Sequence, residues 1–197
     1  NLVNITPKHA NSLYKSATKT YQKEFAKADS LIADSGYIEA IAMLDKIVQA
    51  TLDQPLGVRA LLKMRRAFYY NKDTKGYLQY LDKYIQKYPE HLIGEKAYHL
   101  SVGTLVNLQR KEQALKRINK VIAKNRNRKA PDEQIAWLLF ERASIYNDWE
   151  NGHKGLGKIT NVKANRDLNE IVSNYPQTAA AQHVNVLYGK NINEDGK

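Results

Sequence analysis

The sequence predicts an all-α fold, and within that class an α-solenoid of about four to five helix–turn–helix hairpins. Three observations support this prediction. An apolar pattern with helical spacing recurs along the chain, a second helical segment precedes each copy, and turn signals separate the segments. With 197 residues, of which 43% are hydrophobic and 26% charged, the chain is long enough to bury one sizeable core.

The repeat is clearest in the segment 37–49, "YIEAIAMLDKIVQ", which returns 37 residues later as "TKGYLQYLDKYIQ" at 74–86. Each copy has apolar residues at i, i+1, i+4, i+7 and i+8, which is the spacing of one helical face. The three stripes are Ala40, Ile41, Leu44, Ile47 and Val48; Tyr77, Leu78, Leu81, Tyr84 and Ile85; and Ala114, Leu115, Ile118, Val121 and Ile122. A fourth copy is Ala164, Leu168, Ile171 and Val172.

Three lysines recur with the stripes but on the side of the helix that points away from them: Lys46, Lys83 and Lys120. One hairpin cannot bury its apolar stripe alone, whereas stacked hairpins complete a continuous core. The recurrence therefore predicts a stack of similar hairpins with an apolar interior and a basic outer side.

A helical segment precedes three of the stripes, in "RALLKMRRAFYYN", "EKAYHLSVGTLVNL" and "EQIAWLLFERASIYND". Each carries a small residue in its middle, where we expect another helix to approach closely. These residues are Ala67, either Gly103 or Thr104, and Ala143. We expect the pairs of helices to alternate along the chain as hairpins.

Turn residues mark the helix ends at 34–36, 71–76 and 88–91. A proline follows Tyr88 and Tyr175 directly, and the residue before a proline disfavours the helical conformation, so we expect helices to end there. "APDEQ" at 130–134 predicts a helix start, because proline suits the first turn and acids complement the positive helix terminus.

We predict a single helical repeat domain over 1–190, followed by a frayed polar tail at 191–197. Within it, 7–33 forms one long, Lys-rich first helix, and 149–163 forms a basic insert that lengthens the last period.

The hairpins resemble degenerate tetratricopeptide (TPR) repeats over roughly residues 20–190. The resemblance rests on the Tyr-x-x-Ala start at Tyr37 and Ala40, and on a proline eight residues after a central leucine, as from Leu81 to Pro89. It implies a non-enzymatic scaffold that binds a protein or peptide partner, with the first helix of each hairpin lining the binding groove.

A narrower resemblance, to TPR lipoproteins of the Gram-negative envelope, rests on "LNEIVSNYPQTAAAQHVNVLYG" at 168–189 and more weakly on 87–99. It implies a periplasmic or outer-membrane-associated location and a role in envelope assembly, with the cytoplasm as the alternative. The chain begins at Asn1, so a signal peptide or lipid anchor upstream would not be visible in it. No apolar run reaches the roughly 18 residues of a membrane span.

No catalytic, metal or cofactor site is predicted. The chain has no cysteine, and none of its five histidines has the spacing of a zinc hydrolase motif. The loop 152–160, "GHKGLGKIT", nearly reads as a phosphate loop, but Ile159 takes the place of the hydroxyl residue, so a nucleotide site is the weakest of our hypotheses. Asp45 and Asp82 are expected on exposed helix sides in surface ion pairs.

The hypothesis we favour is a basic groove for an acidic protein or peptide partner. If the first helices line a groove, one stripe of polar and aromatic residues runs along them at helical spacing. Its predicted residues are Arg59, Lys63, Arg66 and Tyr70, continuing one repeat later through Lys96 and Asn107.

The alternative hypothesis is an electrostatic binder of an anionic polymer, either nucleic acid or envelope glycan. The chain carries a net charge of +11, and the stretch 110–129 holds nine Lys or Arg and one acid. The predicted contact residues are Lys116, Arg117, Lys120, Lys124, Arg126 and Arg128. In a third interpretation, the same charges have no binding role and form only a solvated helix face.

Overall fold

The computed structural model describes residues 21–147 and 161–188, and within these ranges all regular secondary structure is helical. The predicted all-α class is therefore confirmed. The helices are α1 (Gln22–Ala33), α2 (Tyr37–Ala50), α3 (Pro55–Tyr70), α4 (Thr74–Lys87), α5 (Leu92–Asn107), α6 (Lys111–Asn127), α7 (Asp132–Tyr146), α8 (Val162–Asn174) and α9 (Ala179–Tyr188).

The helices pair as predicted, and the 37-residue period appears in their first residues. The second helices α2, α4 and α6 begin at 37, 74 and 111, and the first helices α3 and α5 begin at 55 and 92. The connections within the first three hairpins have the same length. Each has three residues (34–36, 71–73, 108–110), whereas fifteen residues (147–161) lie between α7 and α8 in the sequence. Each connection from a second helix to the next first helix has four residues.

The predicted apolar stripes lie in the core. Leu44, Leu81 and Ile118, which occupy the same position in successive repeats, are all fully buried. Of the three full stripes, only Ile85 and Leu115 remain half-buried. The lysines predicted on the outer side, Lys46, Lys83 and Lys120, are all exposed.

The three-residue turns share one backbone device. Each contains a residue other than glycine in the left-handed region: Ser35 (φ 64°), Lys72 (φ 55°) and Gln109 (φ 59°), again 37 residues apart. The next residue donates its N–H to the carbonyl five positions back, which satisfies a free carbonyl at the end of the first helix in the manner of a Schellman motif. These bonds are Gly36 to Leu31 (2.7 Å), Asp73 to Phe68 (2.9 Å) and Arg110 to Leu105 (2.9 Å).

Two glycines permit close contact between a second helix and the first helix that follows it. Gly57 and Gly94 are each the third residue of a first helix, and both are buried. A Cβ atom at Gly57 would overlap the carbonyl oxygen of Thr51, and one at Gly94 would overlap that of Tyr88. At these two junctions the backbone of one helix start therefore packs directly on the end of the preceding helix.

Most of the small residues expected in the middle of the first helices are buried, but one of them, Gly103, has free space around it. Ala67, Thr104 and Ala143 are buried, as predicted. Gly103, the alternative to Thr104, was the wrong choice, because a Cβ atom placed on it meets no atom within 4 Å.

The expected surface ion pairing of Asp45 is wrong. The Tyr84 hydroxyl of α4 donates to the Asp45 carboxylate on α2, and the side-chain amide of Gln49 donates to the same carboxylate at 2.7 Å. Asp45 is therefore half-buried between two second helices, because the buried Tyr84 ring places its hydroxyl there. Burial and this hydrogen bond raise the pKa of Tyr84 above its ordinary value.

The described residues divide into two compact units. One contains 21–104, with a core that includes Leu44, Leu61 and Met64, and the other contains 105–147 and 161–188. The single domain predicted over 1–190 stays a prediction.

Helix ends predicted at Tyr88 and Tyr175 are confirmed, since each caps the C-terminus of its helix.

Several predictions concern residues outside the described ranges. The first helix is described only from Gln22, and the insert only from Asn161, which caps α8. The loop 152–160 and the tail 191–197 lie outside the described residues, so the nucleotide hypothesis stays untested.

Candidate functional site

The outward side of α3 combines positive charge with exposed apolar and aromatic side chains. The helix contains four basic residues and no acid, and its apolar core residues occupy the opposite side. Leu62 is 46% exposed, Tyr69 72% and Tyr70 47%. We define the α3 face as Arg59, Leu62, Arg66, Tyr69 and Tyr70.

Two residues of the predicted groove reach across to α1. The Arg59 guanidinium lies 4.9 Å from the centroid of the Phe25 ring, and the Lys63 ammonium lies 5.9 Å from the same ring. Lys63 also forms an ion pair with Asp29 of α1. The charge of Lys63 is thus neutralised within the first unit, whereas Arg59 is exposed and adds charge to the α3 face.

The other two predicted residues of α3 form an aromatic cluster. The Arg66 guanidinium lies 5.4 Å from the centroid of the Tyr70 ring, and that ring stacks on Tyr37 of α2 at 6.5 Å. Tyr69 meets Tyr70 edge-on at 5.7 Å. Ring stacking and the cation–π contact hold Arg66 and Tyr70 in place before any partner binds.

The remaining groove residues lie on α5. Lys96 is half-buried in the first unit, and Asn107 is exposed in the second. The structure therefore places four of the six predicted residues on one helix.

Leu62 was not among the predicted site residues. Its position three residues after Arg59 and four before Arg66 was the available signal for a shared helix side. Among the other apolar residues of the helix, one leucine gives no sign in the sequence that it is exposed.

Three of the six predicted polyanion residues form one exposed row on α6. Lys116, Lys120 and Lys124 are exposed and follow one another at i, i+4 and i+8, so they form a single row. Arg126 instead forms an ion pair with Glu170 of α8, and Arg128 donates to the side chain of Asn125 at 2.6 Å. Arg117 is half-buried. The two C-terminal arginines thus already have roles in the packing of the second unit.

Arg142 and Asp167 form a structural ion pair inside the second unit. Arg142 of α7 donates two hydrogen bonds to the buried Asp167 carboxylate of α8, at 2.6 and 2.8 Å, and one to Asn119 of α6 at 2.7 Å. The hydrogen bonds to Asp167 raise the pKa of Arg142. This pair joins three helices by a fork of charge-assisted bonds.

The described residues contain no cluster of three or more His, Cys, Asp or Glu that could hold a metal ion. In the same ranges, no helix is both long and apolar enough to cross a bilayer.

Two solved structures have a similar fold. Both are of nearly identical TPR-like repeats assigned to a kinesin light chain of Podosopora anserina, one of them with a single substitution. The substituted protein matches with a TM-score of 0.55 and 14% sequence identity, over 89% of this chain and 88% of that one. The other matches with a TM-score of 0.54 and 15% identity, over 89% of each chain. No protein-family model and no curated protein matches the chain.

These similarities show the class of fold. The chain is an all-α solenoid of TPR-like hairpins, as its 37-residue repeat predicted.

Proposed function

We propose that the protein is a non-enzymatic interaction scaffold whose α3 face binds an acidic segment of a partner protein. One observation carries the proposal: a helix with four basic residues and no acid also exposes Leu62, Tyr69 and Tyr70 on its outward side. Tyr and Arg side chains anchor interfaces most often, because they bury a large apolar area and also form hydrogen bonds.

The arrangement of the α3 face favours binding with little rearrangement. Arg66 already lies over the Tyr70 ring, and that ring stacks on Tyr37, so less side-chain entropy is lost when a partner docks. Arg59 and Arg66 favour a negatively charged partner and disfavour a basic one. The partner's acidic residues would thus contact the two arginines, and its apolar residues would contact Leu62 and the two tyrosines.

We propose the Gram-negative envelope as the location, on the resemblance of 168–189 to envelope TPR lipoproteins. In that segment Tyr175 caps the end of α8, and the Thr178 hydroxyl accepts from the N–H of Ala181 at 3.1 Å at the start of α9. The motif residues thus have capping roles. Fractionation of the native cells, with detection by immunoblot, tests the location. Recovery in the cytosolic fraction would refute it.

The binding proposal is tested by affinity capture from native extract, with the wild-type chain and two variants. The double variant Arg59→Glu, Arg66→Glu reverses the charge of the α3 face. The comparison variant Lys116→Gln, Lys120→Gln, Lys124→Gln removes three positive charges from α6 only. We expect a discrete protein that resists nuclease, is lost with the α3 variant and is retained by the α6 variant.

The same experiment decides the second candidate function, a binder of nucleic acid or another anionic polymer. The exposed row of Lys116, Lys120 and Lys124 favours it, since aligned lysines neutralise phosphates with a steep dependence on salt. Capture that disappears with the α6 variant and with nuclease would support a nucleic-acid binder. It would contradict the α3 proposal if the α3 variant bound as well as wild type.

A further inference from the structure

The outward side of α7, in the second unit, has a composition unlike that of the α3 face. Glu133, Trp137 and Glu141 follow one another at i, i+4 and i+8, and Phe140 lies beside Trp137. Such spacing places them along one side of the helix. We define the α7 face as these four residues together with His183 of α9.

The rings of the α7 face pack directly on one another. The Trp137 and Phe140 centroids are 5.6 Å apart at an interplanar angle of 86°, and Phe140 and His183 are 5.1 Å apart at 74°. Trp137 is nevertheless 41% exposed. At these separations no ligand fits between the rings, so the cluster offers a platform on which a partner lies. It is not an aromatic cage.

The α7 face contains two acidic residues, Glu133 and Glu141, and no basic residue of its own helix. Arg142 is the sole basic residue of α7, and its guanidinium is held by Asp167 of α8 and Asn119 of α6. Glu133 accepts a hydrogen bond from the N–H of Ala179 at 2.9 Å, which fixes the start of α9 against α7.

Glu141 is the acidic residue that follows Trp137 by one helical turn. It is half-buried, and burial raises the pKa of its carboxyl group to about 7. A cation brought by a partner would favour the ionised form and offset the cost of burial. Trp137, one helical turn away, offers the ring that attracts cations most strongly.

We propose that the α7 face docks a partner segment that presents an Arg or Lys side chain between apolar side chains. The apolar side chains lie on Trp137 and Phe140, and the cation lies against Glu141. This surface belongs to the other unit and has the opposite charge preference. The chain would thus carry two docking surfaces that select different partners or different segments of one partner.

The test uses the full chain and two fluorescein-labelled peptides, Gly-Leu-Arg-Leu-Arg-Leu-Gly and the same peptide with Gln in place of Arg. Anisotropy is measured near physiological salt, at about pH 8, where the Glu141 carboxyl is ionised. We expect the Arg peptide to bind at least about fivefold more tightly than the Gln peptide. Trp137→Ala should weaken the Arg peptide at least about tenfold, and Glu141→Gln about fivefold.

Two variants control for indirect effects. Glu112→Gln removes an equal charge from the exposed start of α6, and Arg66→Ala alters the α3 face; both should leave the affinity for the Arg peptide unchanged. Equal binding of the two peptides would overturn the proposal, and so would full affinity in the Trp137→Ala variant. Neither result bears on the α3 face, whose failure would appear in the capture experiment.

Discussion

Two glycines of the first helices are constrained by the space around them, although their backbones are helical. Gly57→Ala and Gly94→Ala each place a methyl group against a backbone carbonyl, which cannot move away as a flexible side chain can. We expect each substitution to lower the free energy of unfolding by about 1–3 kcal/mol, the usual cost of overpacking. Urea denaturation measures the change.

Gly103→Ala is the matched control for this prediction. The added methyl group meets no atom within 4 Å, and alanine favours the helix over glycine by up to about 1 kcal/mol. We therefore expect Gly103→Ala to raise the free energy of unfolding. A loss of stability at Gly103 equal to that at Gly57 would contradict the packing argument.

Glu141 makes stability depend on pH in a defined direction. Because burial raises the pKa of its carboxyl from 4.5 to about 7, the fold favours the protonated form. The stabilisation is present below about pH 4.5 and is lost as the pH rises through about 7. Glu141→Gln keeps a neutral side chain at every pH. We expect the variant to be more stable than wild type by about 2–3 kcal/mol near pH 8 and equal to it near pH 4.

Chemical denaturation of both chains at the two pH values measures this difference. The same gain in stability at both pH values would show that the substitution acts through packing and not through the charge of Glu141.

At the scale of the helix and its turns, stability can be raised at the residues with left-handed backbone. Lys72 and Gln109 adopt positive φ, a conformation that is unfavourable for a residue with a Cβ atom and not for glycine. We expect Lys72→Gly and Gln109→Gly each to raise the free energy of unfolding by about 0.5–1 kcal/mol. Thermal denaturation followed by circular dichroism gives the change.

Gln79→Gly provides the contrast, because Gln79 is exposed inside α4, where glycine costs about 1 kcal/mol. If Lys72→Gly and Gln79→Gly lowered the melting temperature alike, the turn conformation would not explain the effect.

The same elements show what the sequence could predict. The second helices were predictable because their buried positions recur with one period, so Leu44, Leu81 and Ile118 supported one another. Gly57 and Gly94 also lie 37 residues apart, but the sequence does not show that each of them packs against the backbone at the end of the preceding helix. Asp45 was misplaced for a related reason: the hydroxyl that reaches it comes from Tyr84, 39 residues later.

At the scale of the whole molecule, the net charge of +11 acts on the approach of partners. Salt screens this long-range field, with a Debye length of about 10 Å at about 0.1 M. If the α3 face binds an acidic peptide, we expect its association rate to fall at least about tenfold between about 0.02 M and 0.5 M salt. Stopped-flow fluorescence measures the rate.

The variant Lys116→Gln, Lys120→Gln, Lys124→Gln separates steering from contact. It lowers the net charge by three without touching the α3 face, so the association rate should fall while the dissociation rate stays the same. A change in the dissociation rate alone would indicate direct contact between α6 and the peptide.

The sequence located part of the candidate sites for a similar reason. Charge is visible in the sequence, so Arg59 and Arg66 were predicted as part of a basic groove lined by the first helices. Exposure of an apolar residue is not visible, because Leu62 and Trp137 fit a buried pattern as well as an exposed one. Which side of α7 stays open depends on α8 and α9 packing against its other sides.

The regular connections also determine where this chain can gain length. Every step from a second helix to the next first helix takes four residues, and two of these steps are confined by backbone packing at Gly57 and Gly94. A reporter peptide or an affinity tag inserted at 51–54 or at 88–91 would therefore separate neighbouring repeats.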